Sequence, residues 1–288
     1  KTRATATLQH RHLPPAVSLH LMPSLSKQSP FTMRKTFNTL AFLLILLSTK
    51  SLAQPNWIDF SNEIKNYDYS TIFTADSFLV ETGPEKVKRP EFLGFFGQDY
   101  QRFNIHFISV IKNYKDPYEY FVYGRTMLRN NICDFQGKLR ITNAEILSES
   151  EVPGYKRGSV EGSYLFFEDQ KQKGSGVFEG TFGSSFVIDK EGNLLYDAIA
   201  IAADGFSNNE FIGTWSKYGS QTKITCNWGE WRIPESGDLD IGAGEFSINK
   251  KYTNNGWQSY IIVYGYDSSF SKEEIKRAEA AENKEWWK

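Results

Sequence analysis

Histidine, cysteine and basic charge are scarce in this chain, and each scarcity removes a class of chemistry. Of the four histidines, His10, His12 and His20 lie in the first 20 residues, which leaves His106 alone beyond them. A zinc site built on several histidines is thereby excluded there, and any Ser-His-Asp or Cys-His arrangement would have to use this one residue. No Gly-x-Ser-x-Gly elbow, Walker phosphate loop, dinucleotide Gly-x-Gly-x-x-Gly or His-Glu-x-x-His pair occurs. No motif therefore fixes a reaction or singles out a catalytic residue, and the first reading is non-enzymatic. Seven of the 33 basic residues and none of the 34 acidic ones precede Gln54, so residues 54–288 carry 26 basic against 34 acidic side chains. An acidic domain without a basic run is a poor partner for nucleic acid. No apolar run approaches the roughly 20 residues that a membrane helix needs, so no transmembrane span is expected.

A leader-like segment is present. Met33-Arg34-Lys35 precedes the apolar run 40–47 and then Ser51-Leu52-Ala53-Gln54. A basic start, a short apolar stretch and a small-residue cleavage site are the parts of a secretory signal peptide. Residues 33–53 are expected to be that peptide, with residues 1–32 an upstream segment outside the folded protein. The mature chain is expected to begin near Gln54 and to work in the periplasm, on the cell surface or outside the cell. In that setting the two cysteines, Cys133 and Cys226, are expected to form a disulfide. It would close a loop of about 90 residues and stabilise by about 4–5 kcal/mol in the chain-entropy model.

Period-two alternation governs the middle of the chain. Phe103, Ile105 and Phe107 share one face against Arg102, Asn104 and His106, and Cys133, Phe135, Gly137, Leu139 and Ile141 do the same in the next block. Further strands are expected at 118–128, 159–167, 176–188, 194–200, 211–216, 222–226 and 257–266. Short turns link most of them, the signature of an antiparallel meander. The expected organisation is an irregular or helical segment over 54–90, a β domain over 91–267 and a C-terminal helix over 268–288. Ser271-Lys-Glu-Glu274 is a capping box that opens this helix.

Four strands share an apolar-x-Gly-x-apolar unit: Phe135-Gln-Gly137-Lys-Leu139, Val160-Glu-Gly162-Ser-Tyr164, Phe178-Glu-Gly180-Thr-Phe182 and Phe211-Ile-Gly213-Thr-Trp215. Residues at i, i+2 and i+4 line one face, so each glycine sits between two large inward side chains. Glycine weakens a strand, and its use here points to tight coiling and rings laid across the backbone. Gly213-Thr-Trp215 and Gly176-Val-Phe178-Glu-Gly180-Thr-Phe182 resemble strands of lipocalin- and avidin-type barrels. The resemblance covers two strands and implies a closed barrel. The expected fold is all-β, a closed or nearly closed up-and-down antiparallel barrel, with a β-sandwich as the alternative.

One segment breaks the rhythm. Residues 226–246 hold two tryptophans, one arginine, five carboxylates and four glycines, and function concentrates on such irregular loops. Three readings compete. Trp228 and Trp231 form a stacking platform for a sugar or aromatic ligand, with Glu230 or Arg232 hydrogen-bonding it. Alternatively Asp238, Asp240 and Glu245 hold Ca²⁺, since Asp-x-Asp followed by Gly and Glu supplies oxygen ligands on a turn. In the third reading the segment is a structural cap. The functional expectation is a binding protein for an apolar, aromatic or carbohydrate ligand, held in the barrel mouth or by this loop. The alternatives are a glycan hydrolase using two of Glu230, Asp238, Asp240 and Glu245, and a structural or adhesive envelope protein.

Overall fold

The structure, a computed structural model, describes residues 56–79, 86–149, 152–265 and 269–288. The expected leader 33–53 and upstream segment 1–32 lie outside the described residues. In chain order the elements are β1 (Trp57–Asp59), α1 (Ser70–Thr74), β2 (Ser77–Leu79), β3 (Lys86–Lys88), β4 (Leu93–Phe96), β5 (Gln101–Lys112), β6 (Glu119–Leu128) and β7 (Asn131–Leu147). They continue with β8 (Lys156–Glu168), β9 (Gly176–Ile188), β10 (Leu194–Tyr196), β11 (Asn208–Lys217), β12 (Ile224–Glu230), α2 (Gln258–Tyr264) and α3 (Lys272–Glu282).

Each strand from β4 to β9 pairs antiparallel with its successor; β9 then pairs with β11, and β11 with β12. β12 returns to β4 in the register Trp228↔Gly94, which closes eight strands into an up-and-down barrel. The expected barrel is therefore correct and the sandwich is not formed. Short additions sit on it: β1 pairs with the end of β7, β10 with the end of β9, and β2 with β3 as a separate ribbon.

Alternation explains the barrel wall. In β8, Gly158, Val160, Gly162, Tyr164, Phe166 and Glu168 are buried, while Glu161, Ser163, Leu165 and Phe167 face out. Eight strands leave an interior just wide enough for side chains, and here rings fill it. Trp228 stacks on Phe211 at 5.0 Å and 12°, with Tyr164 edge-on at 5.1 Å. At one end α1 turns Ile72 and Phe73 inward, with Phe73 against Phe182 at 5.8 Å and Phe107 at 6.5 Å. Rings thus fill the barrel interior, and α1 packs over one of its ends.

The inward glycines make room for these rings. A Cβ on Gly162 would lie 2.5 Å from the Phe182 ring and 2.1 Å from Arg140 O. On Gly137 it would lie 2.8 Å from the Phe166 ring and 2.1 Å from Leu165 O. Gly162→Val is expected to destabilise by at least about 1–3 kcal/mol through overpacking. Urea melts of this variant check it, and a wild-type midpoint would mean that the face is not packed.

The expected disulfide is not formed; Cys133 and Cys226 are both buried free thiols. Ring position explains why. Cys133 is on β7 and Cys226 on β12, and β6, β5 and β4 separate them on one side while β8, β9 and β11 separate them on the other. They face each other across a filled barrel, whereas a disulfide needs Cα atoms within about 7 Å. Burial pushes both thiols upward, that of Cys133 to about 11.

Where the last strand, 257–266, is expected, the chain instead forms α2, preceded by a 3₁₀ turn, Lys250–Asn255. Gly256 at φ 92° ends the turn. Trp257, Tyr260, Ile261 and Tyr264 then follow at helical spacing, and Trp257 enters a second core with Phe95, Ile233, Leu239, Phe246 and Ile248. That core covers the outer face of β4. The capping box forms as expected: Ser271 Oγ accepts from Glu274 N at 3.2 Å and Glu274 accepts from Ser271 N at 2.8 Å.

Candidate functional site

β12 continues the inward alternation with Cys226, Trp228 and Glu230, and the chain then leaves the barrel. It does so at Trp231, whose φ of 69° is left-handed. For a bulky side chain this conformation costs about 1–2 kcal/mol, and such strain concentrates at functional sites. Trp231 Nε1 donates to Tyr196 Oη at 3.3 Å, and its ring packs edge-on to Phe206 at 5.9 Å.

Trp228 does not share this position. Its ring is fully buried in the barrel core, so it presents no face to a ligand, and its half of the expected platform is corrected. Glu230 is also fully buried, and Arg89 Nε donates to its Oε1 at 2.5 Å. Asn209 Nδ2 donates to Glu230 Oε2 at 3.0 Å. Burial pushes the Glu230 carboxyl above the usual range, against the pull of Arg89, Tyr196 and Asn209.

Arg232 organises the loop beyond. It donates to Asp240 Oδ2 at 2.5 Å, Gly242 O at 2.9 Å and Gly244 O at 2.9 Å. Asp240 Oδ1 in turn accepts from Gly242 N and Ser247 N. Asp238 pairs with Lys251 and accepts from Tyr252 Oη at 2.7 Å. Glu245 is exposed. The expected Ca²⁺ site is therefore not assembled: two of its three carboxylates already answer to cations of the protein, and no group of three metal-ligating side chains converges among the described residues. Of the carboxylates weighed for hydrolysis, Glu230 is sealed from solvent, Asp238 and Asp240 are ion-paired, and Glu245 is exposed.

Trp231 and Arg232 line a surface groove of about 710 Å³ outside the barrel. Its floor includes Arg102 and Asn104 of β5 and Met127 of β6, residues of the outward face. One wall is Trp231, Phe246 and Tyr260, and the opposite rim is the stretch after α3, with Lys284, Trp286 and Trp287. Two contacts fix that rim. Arg102 makes a two-pronged pair with Glu282, both bonds 2.7 Å, and lies over the Trp257 ring at 5.2 Å. Burial raises the Glu282 carboxyl, but the hydrogen bonds and charge of Arg102 outweigh it and hold the group below its ordinary value. Trp287 stacks on His106 at 3.9 Å and 10°, while Arg125 donates to Trp287 O at 2.6 Å.

Arg89, Arg102, Glu282 and the Trp286-Trp287 pair are groove residues that sequence patterning did not single out. Arg102 was visible as the polar side of a strand, but nothing local marks its partner 180 residues away. The adjacent C-terminal tryptophans were the available signal; α3 ends at Glu282, so they belong to the segment after it. No protein family, curated protein or solved structure matches this chain.

Proposed function

We propose that the protein is a non-enzymatic binding protein whose groove takes a small ring-bearing ligand, aromatic or carbohydrate. The observation that carries this reading is Trp231, a half-buried indole held in left-handed backbone on the wall of a groove of about 710 Å³. The volume is that of a small-molecule site, and Trp231, Tyr260 and Trp286 supply apolar ring surface while Asn104 supplies a polar handle. The role is proposed for an exported protein, on the leader-like anatomy of residues 33–53.

Trp231→Gly separates binding from folding. Glycine adopts φ 69° without strain, so the backbone relief of about 1–2 kcal/mol offsets part of the lost packing. The variant is expected to fold, and to weaken binding of benzyl alcohol or galactose by about tenfold, in line with the loss of one ring-stacking contact. Titration calorimetry with tryptophan fluorescence reads both. Unchanged affinity in a folded Trp231→Gly protein would remove Trp231 from the site.

A further inference from the structure

The groove's charges are unevenly matched. Three cations on its walls are answered within the protein: Arg89 by Glu230, Arg102 by Glu282 and Arg232 by Asp240. Lys88, Arg129 and Lys284 also line it, and none of them has a carboxylate within salt-bridge reach among the described residues. Arg129 donates only to the neutral Gln101 Oε1, at 3.2 Å. Glu285 feels the charge of Lys88 but pairs with Lys288 at 2.8 Å. Of the groove's acids, Glu91 faces His106 at 3.0 Å and Glu282 is taken by Arg102, which leaves Glu245.

A second observation points the same way. The Arg89 side chain is nine-tenths buried, and its guanidinium lies between the rings of Phe92 and Tyr196, at 6.0 and 5.8 Å. Nε donates to Glu230 Oε1 and Nη2 lies 2.5 Å from the same oxygen, yet neither Nη1 nor Nη2 has a hydrogen-bond partner. An unmet guanidinium donor costs several times what an unmade surface hydrogen bond does. Arg89 lines the groove, so this under-coordinated guanidinium lies within its wall. The excess of acidic residues over 54–288 opposes this only weakly, because charges farther away than about 8 Å are screened at physiological salt.

We infer that the groove selects rings carrying an oxyanion: the carboxylate of an acidic sugar or of an aromatic acid, drawn by the unpaired cations Lys88, Arg129 and Lys284. This deepens the proposed function and rests on the same groove.

The test uses two matched pairs, galactose against galacturonate and benzyl alcohol against benzoate, in which one CH₂OH becomes a carboxylate. The full chain is titrated by calorimetry and tryptophan fluorescence. The carboxylate member of at least one pair is expected to bind about tenfold more tightly or better, the scale of one hydrogen bond to a charged group. The pair that shows the advantage tells an acidic sugar from an aromatic acid. The advantage should shrink with added salt, and the ratio of acid to neutral affinity should fall to about threefold or less in the exposed double variant Lys88→Gln/Arg129→Gln. Neutral members binding as well as their acids, with Trp231→Gly still weakening both, would overturn the inference and leave the groove standing. An acid preference that survives the double variant would also overturn it. Silence of all four probes would overturn the groove reading together with the inference.

Discussion

Arg89→Ala is expected to destabilise the folded domain by about 3–5 kcal/mol at neutral pH, the scale for leaving a buried charge without its partner. Glu230 has no solvent exposure, and Arg89 is the cation beside it. The loss should also depend on pH in a definite direction. Burial already lifts the Glu230 carboxyl above 4.5, and Arg89 is the foremost opposing influence. Removing it raises the folded-state value further, while the unfolded value stays where it was. The native state then holds the proton more tightly than the unfolded state, so stability falls as pH rises from about 4.5 through the raised value. The penalty is therefore smallest in acid, where Glu230 is protonated in both states. Glu230→Gln added to Arg89→Ala should recover much of it, since no charge is left buried. Urea melts at acidic and neutral pH check this. A loss below about 1 kcal/mol that does not change with pH would mean that the pair is solvated.

Trp228→Ala should cost about 3–5 kcal/mol. The indole is the hub of the core, in ring contact with Phe211, Tyr164, Phe178 and Phe103 at 5.0–6.1 Å. Its Nε1 is buried without a partner, so Trp228→Phe, which removes that unmet donor and keeps a ring, should lose roughly half as much or less. Equilibrium unfolding of both variants measures the difference. An Ala variant as stable as wild type would place Trp228 outside a packed core.

The barrel was legible in the chain because its information is local. Alternation in β5 and β7 and a glycine between large inward residues in β7, β8, β9 and β11 each follow from period two, and a barrel is what that curvature builds. The same rule, carried on through Cys226, Trp228 and Glu230, would have placed Trp228 inside. Gly229 and the carboxylates beyond disguised the strand as loop, because a charged residue at an inward position breaks the pattern unless its partner, here Arg89 from 141 residues earlier, is known. The disulfide expectation failed for a related reason. Inward direction was read correctly for Cys133, but whether two inward residues meet depends on their places around the ring. In α2 the β-branched run Ile261-Ile262-Val263 favoured a strand, whereas burial of Trp257 against Phe246 and Leu239 favours a helix, and the packing prevails. The groove was half legible: Trp231 and Arg232 were singled out, but its floor and rim are assembled from distant strands and from the stretch after α3.

The central claim is that this barrel is filled and that its ligand site lies outside the wall, against Trp231. A crystal of the full chain soaked with galacturonate or benzoate tests it most directly. The account predicts density in the groove, with the ring against Trp231 and the carboxylate toward Lys88 and Arg129. Density inside the barrel, among Phe103, Phe178 and Trp228, would contradict it.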